Sequence, residues 1–96
     1  MRVISRKALR VFCTKHPDAE SPLEAWYRVA KHAEWKTFAD VRSVYASADQ
    51  VGKFTVFNIG GNKYRLIAVI HFDGGRVYVR HVLTHKEYDD GDWKCD

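Results

Sequence analysis

An α+β fold, in which helices cover one face of a small antiparallel sheet, is the class the sequence predicts. Three observations carry this. Up to about residue 45, apolar side chains recur at helical spacing. After Gly52, three runs rich in Val, Ile, Phe and Tyr succeed one another, separated by the glycine turns "GGN" and "DGG". Helical segments are thus grouped before strands, which favours helices layered on a sheet. The chain has 96 residues, 46% of them hydrophobic. That is enough for one domain, residues 1–96, whose core needs no covalent staple.

Met1 to Ile4 reads as a short edge strand. Ser5 is a candidate N-cap for "RKALRVFCTKH", where Leu9, Phe12 and Cys13 share one helical face and Arg6, Lys7, Arg10 and Lys15 take the others. Pro17 ends that helix. Ser21 and Pro22 then look like a cap and a first-turn proline, with Glu24 three residues after the cap. Leu23, Trp26, Val29, Ala30 and Ala33 form the apolar stripe of this second helix. Thr37 with Asp40 is a second capping box, opening a short third helix with Phe38, Val41 and Val44 inward. The strands are read as Lys53 to Ile59, Lys63 to Phe72 and Arg76 to Leu83, a meander turned by glycines that accept positive φ.

Alternation sorts the strand side chains. In the middle strand, Tyr64, Leu66, Ala68, Ile70 and Phe72 share the helix-covered face, and Lys63, Arg65, Ile67, Val69 and His71 share the other. In the last strand, Val77, Val79, His81 and Leu83 alternate with Arg76, Tyr78, Arg80 and Val82. A face carrying Arg65 and Arg80 beside aromatics suits a phosphodiester chain, since guanidinium forks onto phosphate and Tyr stacks on bases. An open antiparallel sheet also has an ordinary wet face on which Arg is common.

Charge is unevenly placed. Residues 1–86 hold fifteen Lys and Arg against seven acids, whereas residues 87–96 hold Glu87, Asp89, Asp90, Asp92 and Asp96 against Lys94. The basic body suits a polyanion or an acidic protein, and equally a solvated surface. Cys13 and Cys95 lie in no metal-ligand or CxxC spacing, which is expected of two reduced thiols in a cytoplasmic protein. The opening "MRVISRKALRVF" has no long apolar run, so neither a signal peptide nor a membrane span is expected. No HExxH, GxSxG, Walker loop or GxGxxG is present, and neither a metal nor a cofactor is expected.

Directly after the last strand comes "THKEYDD". Thr84 and Glu87 form a third capping box, so His85, Lys86 and Tyr88 cluster on a short helical turn at the strand end. His is the usual acid/base near neutral pH, Lys can stabilise an oxyanion, and Tyr can donate a proton or stack. Such a set can support RNA cleavage by attack of the ribose 2′-hydroxyl on its own phosphate, which needs no metal. A surface His after a strand is a common feature without catalysis.

The blocks "VFNIGGNKYRLIAVIHF" and "VYVRHVLTHKEYD", in a chain opening "MRVISRKALRVF", closely resemble the HigB family of bacterial type II toxins. The segment "HPDAESPLEAWYRVAKHAEWKTFADVRSVYASAD" resembles that family's helical half, so the resemblance covers about residues 1 to 90. It implies a RelE-like fold and a ribosome-dependent mRNA endonuclease that halts translation without a metal. It implies a cognate helix-turn-helix antitoxin of the HigA type, with operator DNA bound only through the toxin–antitoxin complex. Residue by residue, Arg65 in "KYRL" matches the strand arginine assigned to the scissile phosphate. His85 falls where relatives place a catalytic basic residue, and Tyr88 near the end of the cluster. Lys63, Arg80 and Lys86 are implied RNA-binding cations. The alternatives are an RNA-binding or poisoning protein of the same fold that does not cut, and a degenerate toxin kept as an antitoxin partner. The acidic ending "DDGDWKCD" departs from the basic tail of many relatives, and either frays or folds back on the basic site.

Overall fold

The computed structural model describes residues 1–4 and 6–95, the last by its backbone alone. The candidate cap Ser5 and the Cys95 thiol therefore lie outside the described residues, while Cys13 carries a free thiol. The elements are β1 (Arg2–Ile4), α1 (Arg6–Lys15), a 3-10 turn (Pro17–Ala19), α2 (Glu20–His32) and α3 (Phe38–Val44). They continue with β2 (Asp49–Val51), β3 (Phe54–Ile59), β4 (Tyr64–His71), β5 (Arg76–Thr84), α4 (His85–Asp90) and a second 3-10 turn (Asp92–Cys95). The expected α+β architecture is present. Among the described residues no helix is long and apolar enough to cross a membrane.

The sheet order is β1-β5-β4-β3-β2. All neighbours are antiparallel except β1, which pairs parallel to β5 with Val3 opposite Val77. The edge strand expected at the N-terminus is thus present in parallel register. β2 is an additional strand, a two-residue hairpin away from β3, with Val51 opposite Phe54. The "GGN" turn is built as expected: Gly60 and Gly61 have φ of 61° and 70°, a region side-chain-bearing residues avoid.

The second helix begins differently from its sequence signal. Pro17 opens the 3-10 turn, where its missing N–H costs nothing, and that turn runs on into α2 from Glu20. Ser21 and Pro22 therefore lie within the first helical turn, and Ser21 is not the cap. The Thr37 box forms as read: Asp40 N–H donates to Thr37 Oγ1 at 3.3 Å, and Asp40 Oδ2 accepts from Thr37 N–H at 3.2 Å. On α3 only Val41 is fully buried. Phe38 is half-buried, and Val44 is 54% exposed, because a seven-residue helix lying on the core offers it only a narrow stripe.

The main core lies between the helices and one sheet face, around Leu23, Trp26, Val41, Phe57, Leu66 and Val77. Phe57 is its hub. Its ring meets Trp26 edge-on at 5.4 Å, Tyr45 edge-on at 5.4 Å and Trp35 stacked at 6.2 Å. At the rear of α2, the Met1 amino group donates to the carbonyls of Ala30, Lys31 and Ala33, tying β1 to the helix end.

The second sheet face is not simply wet. Phe54, Val56 and Ile67 form a smaller apolar cluster there, covered by Trp93 and flanked by Val51, Val69, Leu83 and Tyr88. The C-terminal segment supplies this cover: through Trp93 it packs on the apolar cluster, while Asp89, Asp90 and Asp92 stay exposed.

Candidate active site

β5 ends beside the start of β4, with Thr84 opposite Tyr64, and α4 leaves directly from that edge. A register shift separates the pairs Ile67–His81 and Ala68–Val79, leaving Arg80 as an extra residue on β5. This bulge reverses the alternation. Val77 and Val79 face the helices as read, but beyond the bulge Val82 packs on the main core and Leu83 joins the second face. Leu83 stands opposite Arg65, and His81 opposite Ile67. The simple alternation expected for β5 therefore fails at Arg80. His81 lines a groove of about 360 Å³ with Leu83, Glu87, Asp90, Asp92 and Trp93.

Arg65 is on the second face, as alternation required, but it is not an exposed cation. The residue is 8% exposed. Nη1 donates to the carbonyls of Asn62 at 3.2 Å and Tyr64 at 3.1 Å. The guanidinium carbon sits 5.4 Å from the centre of the Tyr88 ring, a cation–π contact. In a buried setting a fixed positive charge projects a stronger field than a solvated one.

α4 has only six residues and depends on its ends. Glu87 N–H donates to Thr84 Oγ1 at 3.2 Å, and Thr84 N–H donates to Glu87 Oε1 at 2.9 Å, completing the expected box. Gly91, at φ 77°, closes the helix with its N–H on the Tyr88 carbonyl. The His85 N–H donates to the Lys63 carbonyl at 3.2 Å, which fastens α4 to the β3–β4 turn. His85 Nδ1 lies 2.8 Å from Asp89 Oδ2, one helical turn on. Asp89 escaped the sequence reading as a site residue, although its i,i+4 spacing from His85 was available.

The structure brings Arg65, His85 and Tyr88 to one end of the sheet. Lys86 is exposed on α4, and Arg80 is exposed at the bulge. Lys63 leaves the group. Its Nζ pairs with Asp18 Oδ2 at 2.8 Å, and the same carboxylate accepts from the Tyr64 hydroxyl at 2.6 Å. It therefore points to the helix layer, because it lies in the turn before β4, where strand alternation does not apply.

This clamp gives a pH signature. The Lys63 ammonium first, then the Tyr64 hydroxyl, hold the Asp18 carboxyl below its ordinary 3.8. The same bonds raise Lys63 and Tyr64 above their ordinary values. A carboxyl lowered by folding stabilises the fold above its unfolded pKa, and that contribution is lost as pH falls through the lowered value. Raised Lys and Tyr groups stabilise below their unfolded pKa values and lose this as pH rises through the folded ones. Thermal midpoints across pH should therefore place Asp18→Asn below wild type near neutrality, with the gap closing in acid below 3.8. Parallel curves at all pH values would contradict the clamp.

The family model described as HigB_toxin, RelE-like toxic component of a toxin-antitoxin system, matches residues 19–91. The mRNA interferase toxin HigB of Escherichia coli (strain K12) is 35% identical over 92 residues, covering 93% of this chain and 88% of that protein. The mRNA interferase HigB of Shigella flexneri matches to the same extent. That of Escherichia coli O6:H1 is 33% identical, covering 93% of this chain and 89% of its own.

Proposed function

The chain belongs to the HigB family of RelE-like toxins, which places it in a toxin–antitoxin system with an antitoxin partner, and from that premise we propose that it cuts mRNA on the translating ribosome. The observation that carries the reading is the meeting of Arg65, His85 and Tyr88 where β4 begins and β5 ends. The substrate is the RNA backbone, and the antitoxin is a helix-turn-helix protein of the HigA type. Operator DNA is bound only through their complex, and the protein acts in the cytoplasm.

Each of these residues takes a separate part of the reaction. The 2′-hydroxyl of the ribose loses its proton and attacks the adjacent phosphorus. The bond to the 5′-oxygen breaks, and that oxygen takes a proton. The RNA ends as a 2′,3′-cyclic phosphate and a free 5′-hydroxyl. His85 serves in proton transfer. Asp89 on Nδ1 orients the ring and leaves Nε2 to face the substrate, as a carboxylate does for a working imidazole. Arg65 supplies a fixed positive charge for the phosphate as negative charge builds on it. Tyr88 holds that charge under its ring. Lys86 and Arg80, both exposed, draw the RNA backbone by charge.

Primer extension on an mRNA translated with the protein present tests this. Discrete cuts within codons are expected. Their absence, with translation still halted, would identify a binder that poisons without cutting. His85→Ala should lower the cleavage rate by about a hundredfold or more, the scale of a lost acid/base group. The side chain is half-exposed, so the melting temperature should hardly move. Wild-type cleavage by this variant would remove His85 from the mechanism.

A further inference from the structure

We propose that Trp93 is a positioning residue for cleavage: it fixes Tyr88, and through Tyr88 the guanidinium of Arg65. The inference rests on reading this site as a nuclease. Trp93 itself lies beyond the matched family segment, which ends at residue 91.

Three contacts support this role. The Trp93 ring stacks on Tyr88 with centroids 5.2 Å apart and planes 13° from parallel. Tyr88 in turn meets the Arg65 guanidinium at 5.4 Å, so Tyr88 touches both Trp93 and Arg65. Trp93 Nε1 donates to the Tyr88 carbonyl at 3.0 Å, and the Gly91 N–H reaches the same oxygen at 3.2 Å. Backbone and ring of Tyr88 are therefore both held by the C-terminal segment. Trp93 is itself anchored: it is 4% exposed and meets Phe54 edge-on at 5.6 Å. Phe54 belongs to β3, so the stack is referenced to the sheet. A six-residue helix cannot hold a side chain to a fraction of an ångström alone, and a misplaced group costs cleavage even when nothing that touches RNA is lost.

The test measures single-turnover cleavage and thermal midpoint for Trp93→Ala, Trp93→Leu, Trp93→Phe, Tyr88→Ala and the Trp93→Leu/Tyr88→Ala double variant. Trp93→Leu keeps apolar cover on Phe54 and serves wherever Trp93→Ala does not fold. Trp93→Ala and Trp93→Leu should lower the maximal rate by up to about a hundredfold with little change in KM. Trp93→Phe should restore most of it, because a ring again faces Tyr88. In the Tyr88→Ala background, Trp93→Leu should cost nothing further, since its effect passes through Tyr88. Wild-type rates in folded Trp93→Leu, failure of Trp93→Phe to recover, or losses that multiply in the double variant would each overturn the proposal and leave the site reading standing. Wild-type rates in Tyr88→Ala would overturn both.

Discussion

Replacing Arg65 by alanine should slow mRNA cleavage by about two to three powers of ten. That is the scale on which fixed charge-stabilising groups act in other enzymes. The expectation comes from how the side chain is held. Two carbonyls fix Nη1, the Tyr88 ring lies 5.4 Å from the guanidinium carbon, and little solvent reaches it. Little reorganisation is then needed when the phosphorane-like charge develops. Arg65→Lys should recover only a small part of the loss. A lysine retains the charge but has a single nitrogen, whereas in arginine Nη1 alone holds the carbonyls of Asn62 and Tyr64 and the other guanidinium nitrogens remain for a phosphate. The alanine variant leaves those carbonyls short of a donor, at a cost of about 1–3 kcal/mol. Cleavage should therefore be compared well below both melting temperatures. Equal rates for folded Arg65→Ala and wild type would exclude Arg65 from the chemistry.

Phe57→Ala should destabilise the protein by about 3–5 kcal/mol, read from the urea midpoint. Phe57 is fully buried, and three aromatic rings converge on it from α2, the segment before α3, and the turn after α3. No single neighbour can collapse into the space left behind, because each is held by a different element. For a small domain such a loss is a large share of total stability, so this variant should be largely unfolded at elevated temperature. Phe57→Leu, which keeps most of the apolar volume, should cost far less. A cost below about 1 kcal/mol for the alanine variant would mean that Phe57 is not the hub of this core.

Local signals in the sequence proved readable where local physics sets the structure. The boxes at Thr37/Asp40 and Thr84/Glu87 form because cap and acceptor are three residues apart and need no distant partner. The meander is visible because Gly60, Gly61 and Gly75 mark turns that require positive φ. Structure set by distant contacts was hidden. β2 is only "DQV" and becomes a strand by pairing with β3. Ser21 and Pro22 carry the signature of a helix start, yet Pro17 had already begun the turn that leads into α2.

The site divides in the same way. Arg65 and the α4 cluster are each legible as candidates, from strand alternation and from the box at Thr84, but their meeting appears only once Leu83 is seen opposite Arg65. The bulge at Arg80 has no mark in "VYVRHVL", so simple alternation puts His81 and Leu83 on the wrong face. Lys63 was grouped with Arg65, but its partner Asp18 lies 45 residues earlier. Nothing local in "DDGDWKCD" reveals that Trp93 will settle on Phe54, so the cover over the second face emerges only in three dimensions.

The mechanism stands or falls on whether the ribose's own hydroxyl attacks the phosphate held at Arg65 and His85. The decisive measurement is single-turnover cleavage of a translated mRNA carrying one 2′-deoxyribose at the nucleotide 5′ of a mapped cut, beside the unmodified message. The unmodified message should be cut there, leaving a 2′,3′-cyclic phosphate, and the substituted bond should stay intact while other cut sites are unaffected. Cleavage of the substituted bond at the normal rate would contradict the mechanism.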